Sequence, residues 1–241
     1  MERRIVASFH LAIVLAVMLL LPGRAEADWT LGAFLGNAWT HTSAVRLVVP
    51  QLQTDLEIAP VEYRSESFQS PVYYGGRASW TPRATSPLAV EAEFIHMKVF
   101  AETDHPARMH GTWHGVPVDD EVRVGSVVQR LAMSHGLNFV LANVAYRHDI
   151  RKRWLAVARA GVGATVPHGE TTLDGVSQDH YADGGLAAQI AGGVQAELVS
   201  RLHMIVEYKF TWSSPTIDVA SGTATVPARS HHVVAGVACR F

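Results

Sequence analysis

Residues 202–212 read LHMIVEYKFTW, and apolar and polar side chains alternate along this stretch. Because successive side chains of a β-strand point to opposite faces, a period of two predicts a strand with two different faces. The apolar face comprises Leu202, Met204, Val206, Tyr208, Phe210 and Trp212, and the opposite face carries His203, Glu207, Lys209 and Thr211. The fold therefore depends on which solvent the apolar face meets.

Seven other segments show a similar period of two. They cover residues 29–40, 72–80, 88–100, 134–147, 154–166, 186–198 and 231–241. The pattern is weakest in 134–147, where Phe139 and Leu141 fall on the polar side. Long and short connections alternate between the segments, as in barrels with short periplasmic turns. The sequence predicts an all-β fold: an eight-stranded antiparallel up-and-down transmembrane β-barrel with four long outer loops and three short periplasmic turns.

The charged residues of these segments fall on the polar faces. Eight of them are expected to form a charge network in the lumen: Arg77, Glu91, Glu93, Arg159, Glu197, Glu207, Lys209 and Arg240. Acids and bases are nearly balanced, so they can pair inside an eight-stranded lumen, which side chains fill. The alternative is a soluble lipocalin-like barrel with apolar residues inward. Trp and Tyr near the ends of the apolar faces, such as Trp80, Trp154 and Trp212, favour contact with lipid instead.

Residues 1–27 have the layout of a secretory signal peptide. Arg3 and Arg4 precede an apolar run over residues 5–21, and a small-x-small sequence ends at Ala27. We expect a cleaved segment at 1–27 and a barrel domain at 28–241; a single transmembrane anchor is the alternative. Cys239 is the only cysteine, so an internal disulfide is excluded. The formal net charge of −2 gives no electrostatic case for a nucleic-acid partner.

The sequence resembles the small eight-stranded outer-membrane barrels of the outer-membrane protein A-like and surface-antigen kind. The similarity is carried by the export segment, by VEAEF at 90–94, by VEYKFTW at 206–212 and by HHVVAGVACRF at 231–241. It implies the outer membrane of a Gram-negative bacterium, contact with outer-membrane lipid, and handling by periplasmic chaperones and the barrel assembly machinery. It also implies an assembly signal, which falls on Val233, Ala235, Val237, Cys239 and Phe241.

Three kinds of function fit such a barrel. The preferred one is a non-enzymatic protein that supports the envelope or presents its loops for contact and adhesion. The alternatives are a narrow pore or small-molecule conduit and a lipid A-modifying enzyme. Candidate groups for the enzyme are Ser134, His135, His96, His168 and Glu170. Adjacent residues of a strand point to opposite faces, which predicts that Ser134 and His135 cannot form a dyad with each other. No catalytic residue is assigned, and the extracellular partner is not identified.

The loop DHPARMHGTWHG at 104–115 holds three histidines, His105, His110 and His114. Three imidazoles so close in sequence suit zinc or copper. The preferred interpretation is an exposed polar loop with incidental histidines, so no metal and no cofactor are predicted. The first long connection, at 44–63, is unusually apolar for a solvent loop, and it either extends the first strands above the membrane or docks against a partner.

Overall fold

The computed structural model of the protein describes residues 28–83 and 85–241. The predicted signal peptide at 1–27 lies outside these residues. Within them the chain forms β-strands and two single-turn 3₁₀ helices, Pro50–Leu52 and Val124–Ser126. No helix in the described part of the chain is long and apolar enough to cross a membrane.

Eight strands form a closed antiparallel barrel, in which each strand pairs with both of its neighbours. In order around the barrel they are β1 (Asp28–Thr40), β5 (Tyr74–Thr81), β6 (Leu88–Ala101), β9 (Val128–Arg151), β10 (Trp154–Leu173), β12 (Leu186–Val199), β13 (Leu202–Ser213) and β16 (Ala228–Arg240). Strand β16 pairs back onto β1, with Arg240 opposite Thr30, so the barrel has no free edge. The predicted eight-stranded barrel and its strand order are confirmed.

The long connections are themselves built of strands. Six strands of these connections form a second antiparallel sheet, which we call the outer sheet. Their order in it is β14 (Thr216–Val219), β15 (Gly222–Thr225), β2 (Ser43–Val49), β3 (Thr54–Val61), β7 (Pro106–Trp113) and β8 (Val116–Arg123). Two more strands pair with the barrel, β4 (Tyr63–Arg64) with β6 and β11 (Val176–Tyr181) with β10. The apolar first connection is explained by this sheet, because Leu47, Leu56 and Ile58 of β2 and β3 are fully buried.

The barrel turns its apolar faces outward. In β13, Val206 and Tyr208 are 41% and 48% exposed, whereas Glu207 and Lys209 between and after them are 4% and 0% exposed. Ionised groups so deeply buried are tolerated only where other groups pair with them. The alternation therefore excludes the soluble arrangement, in which the apolar side chains would fill the interior, and agrees with a transmembrane barrel.

The weak alternation at 134–147 has a structural cause. Phe139 and Leu141 of β9 point inward and are buried, at the level where the interior changes from charged to apolar. They join one continuous apolar core that runs from Phe34 in the barrel to Leu47 and Ile217 in the outer connections. Both faces of β9 are apolar there, one against lipid and one against this core. Barrel and outer sheet are thus packed together as one body.

Candidate functional site

Six charged side chains converge in the middle of the lumen, and we call them the lumen network. They are Arg77 of β5, Glu91 and Glu93 of β6, Arg159 of β10, and Glu207 and Lys209 of β13. Inward positions of four strands supply them, because each strand alternates lumen-facing and lipid-facing residues. Three are basic and three acidic, so the network is formally neutral.

Arg77 is the centre of the lumen network. Its Nη2 lies 2.8 Å from Glu93 Oε1 and 2.8 Å from Glu207 Oε1. Lys209 Nζ lies 2.6 Å from Glu207 Oε1 and also contacts Glu93. Arg159 Nε is 2.7 Å from Glu91 Oε2, and its Nη1 contacts Glu207. Every cation therefore reaches at least two carboxylates, which offsets the cost of removing these charges from water.

Neutral polar groups satisfy the remaining carboxylate oxygens. Asn143 Nδ2 donates to Glu93 Oε2 at 2.8 Å, and Ser79 Oγ donates to Glu91 Oε1 at 2.8 Å. Gln189 donates to Glu93 and to Asn143 Oδ1. On the outer side, Lys209 Nζ lies 4.8 Å from the ring centroid of Phe34, in a cation–π contact.

Further side chains close the lumen on both sides of the network. Outward of it, His232 is fully buried and bonds Tyr73 Oη at 3.0 Å and Thr211 Oγ1 at 2.8 Å. Toward the other end, Arg77 and Arg147 help to line a cavity of only about 10 Å³, which is the space of a single water molecule. At these two levels the described side chains therefore fill the lumen.

Two of the eight residues expected in the network stand apart from it. Arg240 pairs with Asp28 at the end of the barrel where β1 begins, with Nε 3.0 Å from Oδ2. Glu197 lies opposite His203 near the same end. Their inward direction follows from the strand period, but their height in the barrel depends on strand tilt and register, which the period leaves open.

The residues of the predicted assembly signal belong to the last strand and the residue after it. Val233 and Ala235 are exposed on the outer wall, and Cys239 of the same row is buried. The backbone N–H of Phe241 donates to the carbonyl of Trp29 at 2.8 Å, which anchors it to β1. Their role in assembly stays a prediction.

A second polar group lies on the outer wall, just beyond the lipid-facing rows of β9 and β10, and we call it the outer-wall cluster. It consists of Ser134, His135, His168 and Glu170. In β10 the exposed Val166 faces outward, so His168 and Glu170, two and four residues further on, share its face.

A backbone irregularity brings Ser134 and His135 together. The pairing of β9 with β10 shifts between Pro167 and Glu170, where β9 has two extra residues, and Gly136 has φ +123°. Such a bulge re-aims side chains. Ser134 Oγ is 3.1 Å from His135 Nδ1 and donates to Glu170 Oε1. The expectation that Ser134 and His135 point to opposite faces was wrong, because it assumed a regular strand.

The outer-wall cluster does not have the order of a nucleophilic relay. His135 Nδ1 lies 2.8 Å from Glu170 Oε1, and the same nitrogen faces Ser134 Oγ. A Ser–His–acid relay places the hydroxyl and the acid on different nitrogens of the ring. The other candidate, His96, bonds Asn138 Oδ1 at 2.8 Å and stacks on Tyr74. It therefore has partners of its own.

Glu170 remains ionised in this setting. Burial raises the pKa of its carboxyl, but the hydrogen bonds and the positive charge of Arg130, with a further hydrogen bond from His135, outweigh that effect and hold the pKa below its ordinary value. Arg130 Nε donates to Oε2 at 2.9 Å, which leaves Oε1 facing His135. A groove of about 430 Å³ opens beside His135, between Tyr74, Val166 and Tyr181.

The loop histidines at 105, 110 and 114 are not gathered into one site. Each contacts a different acid: His105 Nδ1 is 2.9 Å from Glu62, His110 Nδ1 is 3.6 Å from Asp119, and His114 Nε2 is 3.4 Å from Asp174. Antiparallel pairing of β7 with β8 spaces them along and beyond one hairpin. Over residues 28–83 and 85–241, His135, His168 and Glu170 are the one group of three or more such side chains whose donor atoms lie within metal-binding distance of one another.

Comparison with known proteins identifies the fold. No protein-family model and no curated protein matches the chain. Among solved structures it is similar to the outer membrane protein OprG from Pseudomonas aeruginosa, with 9% identity over 91% of this chain and 98% of that chain and a TM-score of 0.51. Neisserial surface protein A is 10% identical over 91% and 100% (TM-score 0.41), and the outer membrane protease OmpT from Escherichia coli is 6% identical over 90% and 97% (TM-score 0.38).

Proposed function

We propose that this small eight-stranded outer-membrane barrel is a non-enzymatic protein that holds a rigid outer sheet above the membrane for contact with other surfaces. The closed lumen is the observation that carries the proposal. The lumen network neutralises itself, and the apolar core above it continues into the outer sheet. A barrel filled in this way is a rigid support for the outer sheet and has no open path through its lumen.

The outer sheet has the properties of a contact surface. Its inner face is buried, while its outer face carries charged pairs such as Arg46–Asp55, with Nη2 3.0 Å from Oδ2, and Arg108–Asp119, with Nε 2.6 Å from Oδ1. These pairs are exposed, so they contribute little to stability. Because the sheet is ordered beforehand, a partner that binds it need not order it, which lowers the cost of association.

The barrel is proposed to be non-enzymatic because the hydroxyl of Ser134 and the carboxylate of Glu170 face the same ring nitrogen of His135, which is not the order of a Ser–His–acid relay. Lipid A analysis by mass spectrometry, with and without the gene, tests this. We expect an unchanged acyl pattern. A lost or added acyl chain, restored by the wild-type gene but not by Ser134→Ala, would show that the barrel is an enzyme.

Two measurements on the purified protein and on cells test the contact role. In planar bilayers we expect no steady conductance, and a large stable one would refute the closed lumen. The β7–β8 hairpin, residues 106–123, is then replaced by a short turn, and adhesion of producing cells to immobilised matrix glycoproteins is compared with that of the wild type. We expect the barrel to assemble and adhesion to fall. Equal adhesion of both, at equal surface amounts, would contradict the proposal.

A further inference from the structure

The outer-wall cluster contains three potential metal ligands that no role in the barrel accounts for. One donor atom each from His135, His168 and Glu170 lies within 4.8 Å of the others. Two imidazoles and one carboxylate are a donor set that zinc favours. A tetrahedral zinc ion with bonds of about 2.1 Å needs donors roughly 3.4 Å apart. The three donor atoms are thus somewhat farther apart than they would be around a bound zinc ion, and a side-chain rotation has to bring them closer together.

His168 is held as a metal ligand would be. Its Nε2 lies 3.2 Å from Asp179 Oδ1, across the β10–β11 pair. Its Nδ1 is buried and has no hydrogen-bond partner within the described ranges. An Nε2 proton directed at this carboxylate would leave the Nδ1 lone pair free and fix the orientation of the ring, which is how metal-binding histidines are commonly supported. An unsatisfied buried nitrogen is costly, and a metal ion would satisfy it.

Glu170 and His135 complete the set from two sides of the bulge. Arg130 holds Oε2 of Glu170, so Oε1 is directed at His135 Nδ1, 2.8 Å away. The side chain of His135 is mostly exposed and faces the ring of His168 at a centroid distance of 4.8 Å. It is therefore free to make the small rotation that closes the three donors on an ion.

We infer that His135, His168 and Glu170 form a binding site for a divalent transition metal, with zinc the best fit, on the outer wall of the barrel. Three protein ligands leave a fourth position open in a tetrahedral site. Ser134 Oγ, which already contacts Glu170, and the groove beside His135 border that position. The site joins the bulge of β9 to β10, and a bound ion would fix the bulge in place.

Isothermal titration of Zn²⁺ into the purified, untagged protein in detergent micelles tests the site. We expect one saturable ion per chain, and loss of that binding in His168→Ala and in His135→Ala. His110→Ala is the matched control, since it removes an exposed histidine outside the cluster, and it should bind as the wild type does. Retained heat-modifiable migration on gels shows that each variant is folded.

Asp179→Asn provides a second, milder test. It leaves all three ligands in place and removes only the carboxylate behind His168, so affinity should fall by about 10- to 100-fold. Cobalt(II) in place of zinc should give the strong visible absorption of a four-coordinate site, and this band should vanish in His168→Ala. The inference is overturned if the wild type gives no saturable heat, or if folded His168→Ala binds with unchanged affinity.

Discussion

Replacing Glu207 by Gln tests the lumen network at an acid that contacts all three of its cations. The change keeps the size and shape of the side chain and removes its charge. Glu207 faces three cations: Arg77 at 2.8 Å, Lys209 at 2.6 Å, and Arg159. The variant leaves these three with two carboxylates, so one positive charge is uncompensated in an interior where every member is at most 7% exposed.

The expected loss is about 3–5 kcal/mol in the free energy of unfolding, the usual cost of removing one partner of a buried ion pair. A single pair 4 Å apart at an effective dielectric constant of 20 contributes about 4 kcal/mol, which agrees in size. The larger sum over three contacts is not reached, because the amide of Gln still accepts hydrogen bonds. The folded-to-unfolded ratio should fall by roughly 100- to 5,000-fold.

Urea unfolding of the protein in lipid vesicles, followed by tryptophan fluorescence, measures this loss. The exposed Trp29, Trp80 and Trp154 report on contact with lipid. Glu57→Gln is the matched control, because Glu57 is an exposed acid of the outer sheet, and it should change stability by no more than about 0.5 kcal/mol.

The double variant Glu207→Gln/Lys209→Met restores the balance of charge, with two arginines facing Glu91 and Glu93. It should be less destabilised than the two single variants added together, by about 1.5 kcal/mol or more, since coupled groups are not additive. A Glu207→Gln variant as stable as the control, or losses that simply add, would refute the paired network.

Three further outcomes are expected. Gly193→Ala should destabilise the barrel by about 1–3 kcal/mol in the same urea assay, because the added Cβ would lie 2.3 Å from the carbonyl oxygen of Val206 on the facing strand. Gly192→Ala is the control and should be neutral, since the nearest atom to its added Cβ is 4.0 Å away. Leu56→Ala should cost the outer sheet about 2–5 kcal/mol and speed its cleavage by thermolysin, while Val116→Ala, an exposed change, should not. Burial raises the pKa of Tyr63 to about 12 despite its hydrogen bond with Ser43. The stabilising contribution of the neutral Tyr63 side chain is therefore complete below pH 10 and is lost as the pH rises through 12. The difference between ultraviolet titrations of the wild type and Tyr63→Phe should show phenolate forming near pH 12, and a midpoint near pH 10 would contradict the burial.

Much of the barrel was predictable from the sequence. Each strand must present an uncharged face to lipid along its whole length, and this requirement acts on every second residue. The pattern is therefore visible in the sequence of each strand by itself. The eight segments, their order and their inward charges therefore follow from the period. The weak alternation at 134–147 has the same physical cause, because the inward-facing Phe139 and Leu141 contact the apolar core of the barrel interior.

Contacts between distant residues could not be predicted in this way. Arg77 meets Glu207 across 130 residues of sequence, and Arg240 is left outside the network, because register and tilt set the height of each charge. The outer sheet likewise depends on pairing between separate connections, since neither β3 nor β7 shows its partner in its own sequence.

The proposed metal site shows most clearly the difference between what the sequence predicts and what the folded chain decides. The sequence suggested three histidines close together in one loop only as the alternative to a loop without metal, and the structure gives each of them a different acid. It joins instead His135 to Glu170, 35 residues away, through a bulge at Gly136. The alternation of polarity fixes which way a regular strand faces, because lipid and lumen act on each residue separately. Only the folded chain decides where that regularity breaks and which side chains then meet.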